Sequence, residues 1–578
     1  MFSNLPRALL STYVLPEWPR ALVLGLLLFS GVGLQLANPQ VARVFIDHAQ
    51  AGEPLERLVW IALLFIGVAA LSQITTVAET YVAEDLSWRT TNALRADLTR
   101  HVLDLDASFH AEHPPGELIE RIDGDVSSIA DFFARFVVQV LGSGVFLIGV
   151  LGLLFAEDWR IGAVLTLCLF SVVAFMARGG GFVARRSRAA RQSAADLSAY
   201  LEERLSGLPD LKANGADAYT LAGLNQRLWA RFEAVGRSVM AASLFNSAVG
   251  VVFVLGCGTA LGLSAALYGM GGITLGSVYV VFRYTGMLRQ PLDRLTRQMN
   301  RFQQASGGMV RVAELLAVRR SVTDGAGSDL PSGALALELK NVSFAYAAEA
   351  VLQRVSVRLE PGEVLGLLGR TGSGKTTISR LLFRLHDPLE GAVELGGIDV
   401  RRLKLEELRA RVGLVSQDVQ LFQGTLRDNV ALFDSGVSDA QLHEVMRYLE
   451  LEAWLASLPE GLDTRIGAGG RGLSAGEAQL VALARVFLKS PGLVVLDEAS
   501  SRLDPATEQR LERAVSRLLE GRSGVIVAHR LATVERADRI VILEDGRVAE
   551  IGCRRDLAAD PDSHYSRLVR VGMTEALA

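Results

Sequence analysis

A glycine-rich stretch, GRTGSGKTT, separates an apolar run from a helix-favouring run. The apolar run VLGLL before it is typical of a buried strand, and ISRLLFRL after it is typical of a helix. Glycines in such a loop let backbone N–H groups turn towards a triphosphate at a helix N-terminus, whose dipole favours anions. The stretch therefore predicts a phosphate-binding loop made of Gly369, Arg370, Thr371, Gly372, Ser373, Gly374, Lys375, Thr376 and Thr377. Lys375 is expected to reach the β- and γ-phosphates, and the Thr376 hydroxyl is expected to hold Mg²⁺.

A second chemical signal is LVVLDE, an apolar strand that ends in two carboxylates. Asp497 suits a water-mediated contact to Mg²⁺, and Glu498 suits a general base that polarises the attacking water. His529 closes the strand-like run GVIVAH and could sense or stabilise the γ-phosphate, although a single histidine is more often structural. Together with the glycine-rich loop, these residues predict hydrolysis of a nucleoside triphosphate.

Length and composition limit the kinds of protein that could hold these residues. A chain of 578 residues predicts several domains, and 50% hydrophobic residues with a mean hydropathy of +0.29 indicate membrane segments. The net charge of −4 is small for this length, so no nucleic-acid partner is indicated. The three cysteines are far apart and form no CxxC pair, which argues against disulfides and zinc.

Long windows without charged residues predict membrane-spanning helices in the first half of the chain. A helix needs about 20 residues to cross the ~30 Å apolar layer. A set of buried core helices in a soluble protein is the alternative, and so many uncharged runs in one chain argue against it. Six spans are predicted, at about 21–42, 58–78, 136–156, 161–177, 238–267 and 273–293.

Basic residues predict the orientation of these spans. Arginine and lysine concentrate between spans two and three and between spans four and five, whereas the opposite loops are short and nearly free of them. The positive-inside rule then places both termini and the long loops in the cytoplasm, so we expect a multi-pass protein of the cell (inner) membrane. Arg283 lies about ten residues into the sixth span, where it either contacts cargo in a polar cavity or snorkels or pairs structurally.

The predicted domain order is a transmembrane domain at 1–320 with cytosolic helical extensions, a linker at 321–335 and a nucleotide-binding domain at 336–578. The linker is expected to be flexible, because TDGAGSDLPSG is rich in glycine, serine and proline. The fold class is multidomain: an all-α six-helix transmembrane domain followed by an α/β P-loop ATPase domain.

The order of motifs in the second half resembles the nucleotide-binding domain of an ABC transporter. VSFAY, the phosphate loop, VSQD, LSAGE, LVVLDE, SRLD and His529 follow one another as in that family. In the first half, FHAEHPPGELIERIDGDV, LEERLSGLPDLKANGA and GGITLGSVYVVF are similar to ABC exporters that carry six spans before one ATPase domain. The resemblance therefore covers nearly the whole chain and identifies it as an exporter-type half-transporter.

The resemblance implies roles for further residues. Tyr346 is expected to stack on the adenine of ATP, and Gln417 to contact Mg²⁺ and relay the nucleotide state to the membrane domain. Ser474 and Gly476 are expected to bind the γ-phosphate of ATP held by a second chain, with Asp504 at the same junction. Two chains then form two composite ATP sites and close on ATP. The loops at 113–117 and 208–216 are the expected coupling elements.

The signature of this chain departs from the family. It reads LSAGE where the family usually has LSGGQ, and the preceding GAGGRG lacks an acidic residue that members often carry. Ser474 and Glu477 suit a capping box, so the helix is expected to form. Ala475 adds a methyl group where a phosphate approaches, and the Glu477 carboxylate is expected to repel that phosphate. This mixture favours a heterodimer over a homodimer, with the second half-transporter supplying the better signature.

The leading function is therefore ATP-driven export of an amphiphilic small molecule, lipid or peptide by alternating access, within the lipid bilayer. Uptake by an exporter-like fold, for example of a metal–siderophore complex, stays open, as does a membrane ATPase sensor without transport. A soluble ABC-type ATPase that acts on nucleic acid is disfavoured by the six predicted spans and the absence of a basic excess.

Overall fold

The structure is a computed structural model that describes residues 10–131, 137–346, 349–497, 505–528 and 534–571. The chain divides into two compact units. The first unit comprises Met1–Leu103 and Pro115–Ala317, and the second comprises Asp104–Pro114 and Val318–Ala578.

The first unit is helical. Several of its helices are far longer than a membrane is thick: the helix Asp217–Gly269 has 53 residues and extends about 80 Å at 1.5 Å per residue. Its long helices are α1 (Trp18–Gln50), α2 (Leu55–Asp104), α3 (Val137–Glu157), α4 (Trp159–Ser206), α5 (Asp217–Gly269) and α6 (Leu275–Ala317). Shorter helical segments are Leu10–Val14, Leu15–Glu17, Pro115–Ile119, Glu120–Asp125, Val126–Asp131 and Leu208–Ala213, while Ala107–Glu112 falls in the second unit.

Most of the apolar surface of these helices faces outward. In the described part of the chain, five helices, α1 to α5, are long and apolar enough to cross a membrane, and only 6% of the apolar stretch of α2 is buried inside the chain. Outward-facing apolar helices on this scale require lipid as solvent, because water would penalise them. The sixth predicted span, 273–293, lies in α6, which is a continuous helix but is not among these five, so its crossing stays a prediction.

A smaller part of the apolar surface forms the core of this unit. Val150 on α3, with Ile161 and Leu165 on α4, is essentially inaccessible to solvent. The Tyr284 hydroxyl of α6 donates a 2.6 Å hydrogen bond to the Leu36 carbonyl of α1. Arg283, next to this tyrosine, has an exposed side chain within the chain. Its role with cargo stays a prediction.

The second unit is built on sheets. Five strands of a six-stranded sheet run parallel and a sixth, β12, pairs antiparallel at one edge, in the order β12-β11-β3-β10-β9-β6. An antiparallel sheet has the order β2-β1-β4-β5, and β7 pairs with β8. The strands are β1 (Leu337–Tyr346), β2 (Glu349–Leu359), β3 (Val364–Gly369), β4 (Glu390–Leu395), β5 (Ile398–Asp399), β6 (Val412–Val415), β7 (Gly424–Thr425), β8 (Arg465–Ile466), β9 (Leu493–Asp497), β10 (Ser523–Val527), β11 (Arg539–Glu544) and β12 (Arg547–Cys553).

Helices cover this sheet, which explains why its strands are continuous apolar runs. Every residue of β3 and β10 is buried, as expected for parallel strands with both faces covered. The helices are α7 (Lys375–Leu382), α8 (Leu405–Arg411), α9 (Leu426–Ala431), α10 (Asp439–Tyr448), α11 (Glu452–Ser457), α12 (Ala475–Leu488), α13 (Pro505–Leu519), α14 (Arg554–Ala559) and α15 (His564–Val571), with short 3₁₀ turns at Val400–Arg402, Gly461–Asp463 and Ala468–Gly470.

The segment that we expected to be a flexible linker is tied to the second unit. The Gly325 and Gly327 N–H groups donate 3.0 Å hydrogen bonds to the carbonyls of Leu403 and Arg402. The Leu335 N–H donates to the Gly492 carbonyl at 3.2 Å. Composition did not predict these hydrogen bonds, which hold the backbone of the segment against the second unit, and the flexibility of the linker stays a prediction.

Candidate functional site

The glycine-rich loop joins β3 to α7, so it lies at the carboxyl end of a buried strand. Gly372 and Gly374 have φ of +86° and +103°, in the left-handed region that favours glycine. A Cβ atom on Gly374 would also lie 2.5 Å from Cδ2 of Leu352. The loop conformation therefore depends on glycine at this position, and it leaves the N-terminus of α7 open for a ligand.

Two side chains inside the loop fit a phosphate ligand. Lys375 is only 5% exposed, and its Nζ donates to the carbonyls of Gly369 at 2.5 Å and Arg370 at 2.9 Å, which holds the ammonium across the loop. The Ser373 hydroxyl is buried and has no hydrogen-bond partner among the described residues. A buried hydroxyl without a partner is costly, and a phosphate oxygen would satisfy it. The buried ammonium and the buried hydroxyl without a partner therefore favour a phosphate-binding loop over a simple turn.

The sheet brings two further predicted residues to the same edge. Carboxyl ends of parallel strands meet at one edge, where ligands bind in open α/β sheets. Val527 pairs with Leu367 on one side and Asp497 on the other, so Asp497 lies two strands, about 10 Å, from β3. Gln417 is exposed and follows β6, the next strand along. With the exposed Thr376, these residues offer the hydroxyl, carboxylate and amide oxygens that suit Mg²⁺.

Three predicted residues, Glu498, His529 and Asp504, lie outside the described residues. The strands that lead to the first two are described: β9 ends at Asp497 and β10 ends at Val527. The roles of these three residues stay predictions. Among the described residues, no group of three or more His, Cys, Asp or Glu forms a separate metal site.

Tyr346 ends β1 and has a fixed ring. Its hydroxyl accepts a 3.0 Å hydrogen bond from Nη1 of Arg380 on α7, and its ring stands edge-to-face on Phe344 with centroids 4.9 Å apart. The tyrosine is thereby linked to the helix that begins with Lys375. Stacking of this ring on adenine stays a prediction.

A cavity of about 650 Å³ adjoins the glycine-rich loop on its other flank. It is lined by the loop itself, by the end of β11 with Glu544 and Asp545, and by His564 and Arg567 of α15. The strand order places β11 on the opposite side of β3 from β9 and β6. The cavity therefore lies at the same carboxyl edge of the sheet, on the side of β3 away from Asp497 and Gln417.

The signature residues belong to another part of the second unit. Ser474 caps α12, which packs on α9, α10, α13 and β6, whereas α7 packs on β3 and β9. The predicted capping box is present: the Ser474 hydroxyl accepts from the Glu477 N–H at 3.3 Å, and Glu477 Oε2 accepts from the Ser474 N–H at 2.8 Å. Gly476 is buried in the first turn of the helix. Ser474 itself is exposed and thus accessible to a second chain.

The Glu477 carboxylate is placed differently from our expectation. We expected its charge to face a phosphate, but both of its oxygens accept hydrogen bonds from its own chain. Oε2 accepts from the N–H and hydroxyl of Ser474, and Oε1 accepts from Nε1 of Trp454 at 2.9 Å. Sequence spacing predicted the bonds to Ser474, but not the one to Trp454, which lies 23 residues away.

Sequence reasoning also missed a polar network beside Gln417. Asn429 is fully buried, and its Oδ1 accepts from the Phe422 N–H at 2.8 Å while its Nδ2 donates to the Phe422 carbonyl at 2.8 Å. Arg485 of α12 donates to the carbonyls of Asn429 at 2.6 Å and Gln420 at 2.9 Å. The network ties the segment after Gln417 to the signature helix. The available signals were an arginine in the apolar run VALARVF and an asparagine next to a valine in the run LRDNVAL.

Two of the cavities between the described helices of the first unit differ in character. One, of about 190 Å³, is lined by polar side chains from α1, α2, α3 and α6 together with apolar ones. Another, of about 750 Å³, is lined almost entirely by apolar residues of α1, α2 and α3. The polar residues of the smaller cavity are Gln35, Thr76, Glu79, Gln139, Ser143 and Gln290.

Comparison with known proteins bears on both units. Residues 21–292 match the family model of the ABC transporter transmembrane region, and residues 352–501 match the ABC transporter model. The chain is 30% identical over 570 residues to an ATP-dependent lipid A-core flippase of Thiobacillus denitrificans, covering 96% of both chains. It is 31% identical over 546 residues to the cyclolysin secretion/processing ATP-binding protein CyaB of Bordetella pertussis, covering 94% of this chain and 76% of the other. A solved structure of a bacterial Atm1-family ABC exporter with ATP bound superposes with a TM-score of 0.79 at 26% identity, covering 96% of this chain and 98% of that chain.

Proposed function

The chain belongs to the ABC transporter family, as an exporter-type half-transporter that couples ATP hydrolysis to transport, and we propose that its cargo is an amphiphilic molecule moved outward from the cytoplasmic side. The predicted fold class, a helical membrane domain followed by an α/β ATPase domain, is confirmed. The chain is accordingly a multi-pass membrane protein that binds nucleotide.

We assign the steps of hydrolysis to residues as follows. Ser373, Lys375 and the loop N–H groups bind the β- and γ-phosphates, and Tyr346 stacks on adenine. Mg²⁺, held by Thr376, Gln417 and Asp497, would neutralise phosphate charge when bound. Glu498 polarises the attacking water, and His529 stabilises the γ-phosphate. The observation that supports this assignment most is the buried Ser373 hydroxyl, which has no hydrogen-bond partner among the described residues and lies in the same loop as the buried Lys375 side chain.

A second chain completes each site in this proposal. Ser474, Gly476 and Asp504 of one chain contact the ATP that is held by the loop of the other. We still favour a heterodimer, because the methyl group of Ala475 reduces the space that a phosphate needs beside the signature. Purified alone, the chain is expected to hydrolyse ATP slowly and to gain activity with its partner half-transporter. Robust cargo-stimulated hydrolysis by a homodimer would contradict the heterodimer.

The two membrane cavities support an amphiphilic cargo. The polar cavity contacts α3 near residues 139–146 and the apolar cavity contacts it near 149–153, so the two are offset along the helix by about 10 Å at 1.5 Å per residue. A molecule with a polar head and an apolar tail matches that arrangement. Polar groups inside a membrane are costly, and they commonly mark a transport path.

The names of the relatives point to two kinds of cargo. One relative is named as a flippase of lipid A-core, and another is named for secretion and processing of cyclolysin. By extension we propose a lipid or another amphiphile for this chain, with the ATPase domain in the cytoplasm and the spans in the inner membrane. The orientation rests on the basic loops between spans.

Transport into inside-out vesicles tests the proposal. Vesicles that contain the chain and its partner should accumulate a fluorescent amphiphile when ATP and Mg²⁺ are supplied, and Glu498→Gln should abolish accumulation. Replacement of Gln35 and Gln290 by leucine should lower the ratio of cargo-stimulated to basal ATP hydrolysis towards one. Accumulation only in right-side-out vesicles with internal ATP would indicate import, and stimulated hydrolysis without flux would indicate a sensor.

A further inference from the structure

A buried tryptophan lies against the signature carboxylate. Trp454 of α11 is 2% exposed and packs in the core of the second unit. Its Nε1 donates a 2.9 Å hydrogen bond to Glu477 Oε1. An indole nitrogen can donate but cannot accept, so the tryptophan needs an acceptor at this position. Glu477 supplies it.

The capping box needs an acceptor from the same side chain. Glu477 Oε2 accepts from the Ser474 N–H at 2.8 Å and from the Ser474 hydroxyl at 2.9 Å. A carboxylate has two acceptor oxygens and can serve the cap and the indole together. The glutamine of the usual family signature has one oxygen and one NH₂ group. Glutamine at 477 could therefore satisfy Ser474 or Trp454, but its NH₂ would face a donor at the other.

We propose that Trp454 and Glu477 form a matched pair, in which Trp454 is a positioning residue that holds the signature carboxylate against its own chain and keeps LSAGE competent to meet the nucleotide of the second chain. The inference rests on the proposed role of Ser474 and Gly476 at the composite ATP site. The pair explains why this signature ends in glutamate rather than in the usual glutamine: a tryptophan at 454 requires glutamate at 477.

The electrostatics of Glu477 agree with this arrangement. Burial by itself would raise the pKa of Glu477, but hydrogen bonds from the Ser474 backbone, from Trp454 and from the Ser474 hydroxyl, with the positive charge of Arg510, outweigh burial and lower it. The group is therefore ionised near neutral pH, with both oxygens available as acceptors. Its charge is offset by these donors before any phosphate approaches.

A double-mutant cycle on the full chain, reconstituted in lipid nanodiscs with its partner half-transporter, tests the pair. The four proteins are the wild type, W454F, E477Q and W454F/E477Q, each studied by thermal unfolding without nucleotide and by ATPase kcat and KM. We expect E477Q, although it restores the family residue, to lower the unfolding temperature by several degrees and kcat several-fold. The double variant should recover to within about twofold of the wild-type kcat, because phenylalanine removes the donor that glutamine cannot satisfy.

The control is Glu452→Gln in the same short helix as Trp454. Glu452 is exposed and pairs with Arg447, so this substitution changes charge without touching the signature. We expect it to leave unfolding and kcat unchanged. A further readout is ¹⁹F NMR of 5-fluorotryptophan protein: the resonance that W454F removes should shift in E477Q and not in the control.

Two results would contradict the proposed pair. One is an E477Q protein that hydrolyses ATP faster than the wild type and is equally stable. The other is that the effects of the two substitutions are additive. Failure of the proposed function is distinguishable, because it appears as absence of ATP hydrolysis in the wild type. The unfolding cycle and the NMR shift do not depend on hydrolysis, so they test the pair even then.

Discussion

Substitution of Asn429 tests whether the network beside Gln417 holds the ATPase site together. The asparagine side chain is fully buried and makes bonds to three partners. Its amide pairs with both backbone groups of Phe422 and donates to the Thr425 carbonyl at 3.0 Å, and it accepts from Nη2 of Arg485 at 3.1 Å. Asn429→Ala removes all four bonds at once.

The expected cost follows from these bonds. A net contribution of about 1 kcal/mol per hydrogen bond gives a first value of about 4 kcal/mol. Arg485 keeps its bonds to the backbone carbonyls of Asn429 and Gln420, so we expect a loss of about 3 kcal/mol. At about 2–4 °C per kcal/mol for a domain of this size, the unfolding temperature should fall by about 6–12 °C.

The assay is thermal unfolding of the full chain in nanodiscs, followed by ATPase measurement at a temperature where the variant stays folded. Asn429→Asp keeps the acceptor for Phe422 and Arg485 but loses both donors, so it should fall between the alanine variant and the wild type. Asn92→Ala is the control, because that amide is exposed and accepts a local hydrogen bond from Arg95 at 3.0 Å. An alanine variant at 429 that unfolds within about 2 °C of the wild type would refute the reasoning.

Three further predictions concern the ATP site and the signature. Gly374→Ala places a side chain at a left-handed φ and makes its Cβ collide with Leu352, so the free energy of unfolding should fall by about 2–4 kcal/mol. Gly236→Ala is the control, because the space around its Cβ is open and the substitution should not destabilise the chain. Lys375→Ala should lower ATPase activity by about 10²-fold or more. Lys340→Ala is the control and should not lower it, because Lys340 lies at an exposed strand position beside Glu394. Equal activities of the two variants would contradict the role of Lys375 in binding phosphate. The pKa of Glu477 is lower in the folded chain than in the unfolded chain, where it is about 4.3. The ionised carboxylate therefore stabilises the folded chain fully above a pH of about 4.3. This stabilisation is lost as the pH falls through the folded-state pKa. The difference in unfolding free energy between the wild type and E477Q should therefore shrink below about pH 4, and a constant difference down to pH 3 would contradict this assignment.

Much of this protein could be predicted from local sequence. The glycine-rich loop depends on consecutive residues, since the left-handed glycines, the lysine and the following helix occupy one short segment. The spans depend on the composition of about 20 neighbouring residues, because desolvation is a local property of each window. Five of the six predicted spans lie in helices apolar enough to cross a membrane. At the linker, composition predicted flexibility but could not predict the hydrogen bonds that Gly325 and Gly327 make to Leu403 and Arg402.

The contacts across sequence distance were decided by the tertiary structure. The partner of Glu477 is 23 residues away and that of Asn429 is 56 residues away, and only the packing of α11 and α9 against α12 brings them together. Sequence alone assigned Glu477 a charge and hence a repulsion, because residue type determines charge. Whether that charge faces a phosphate or an indole N–H depends on which donors the fold places around it, and for LSAGE the fold places Ser474 and Trp454 there.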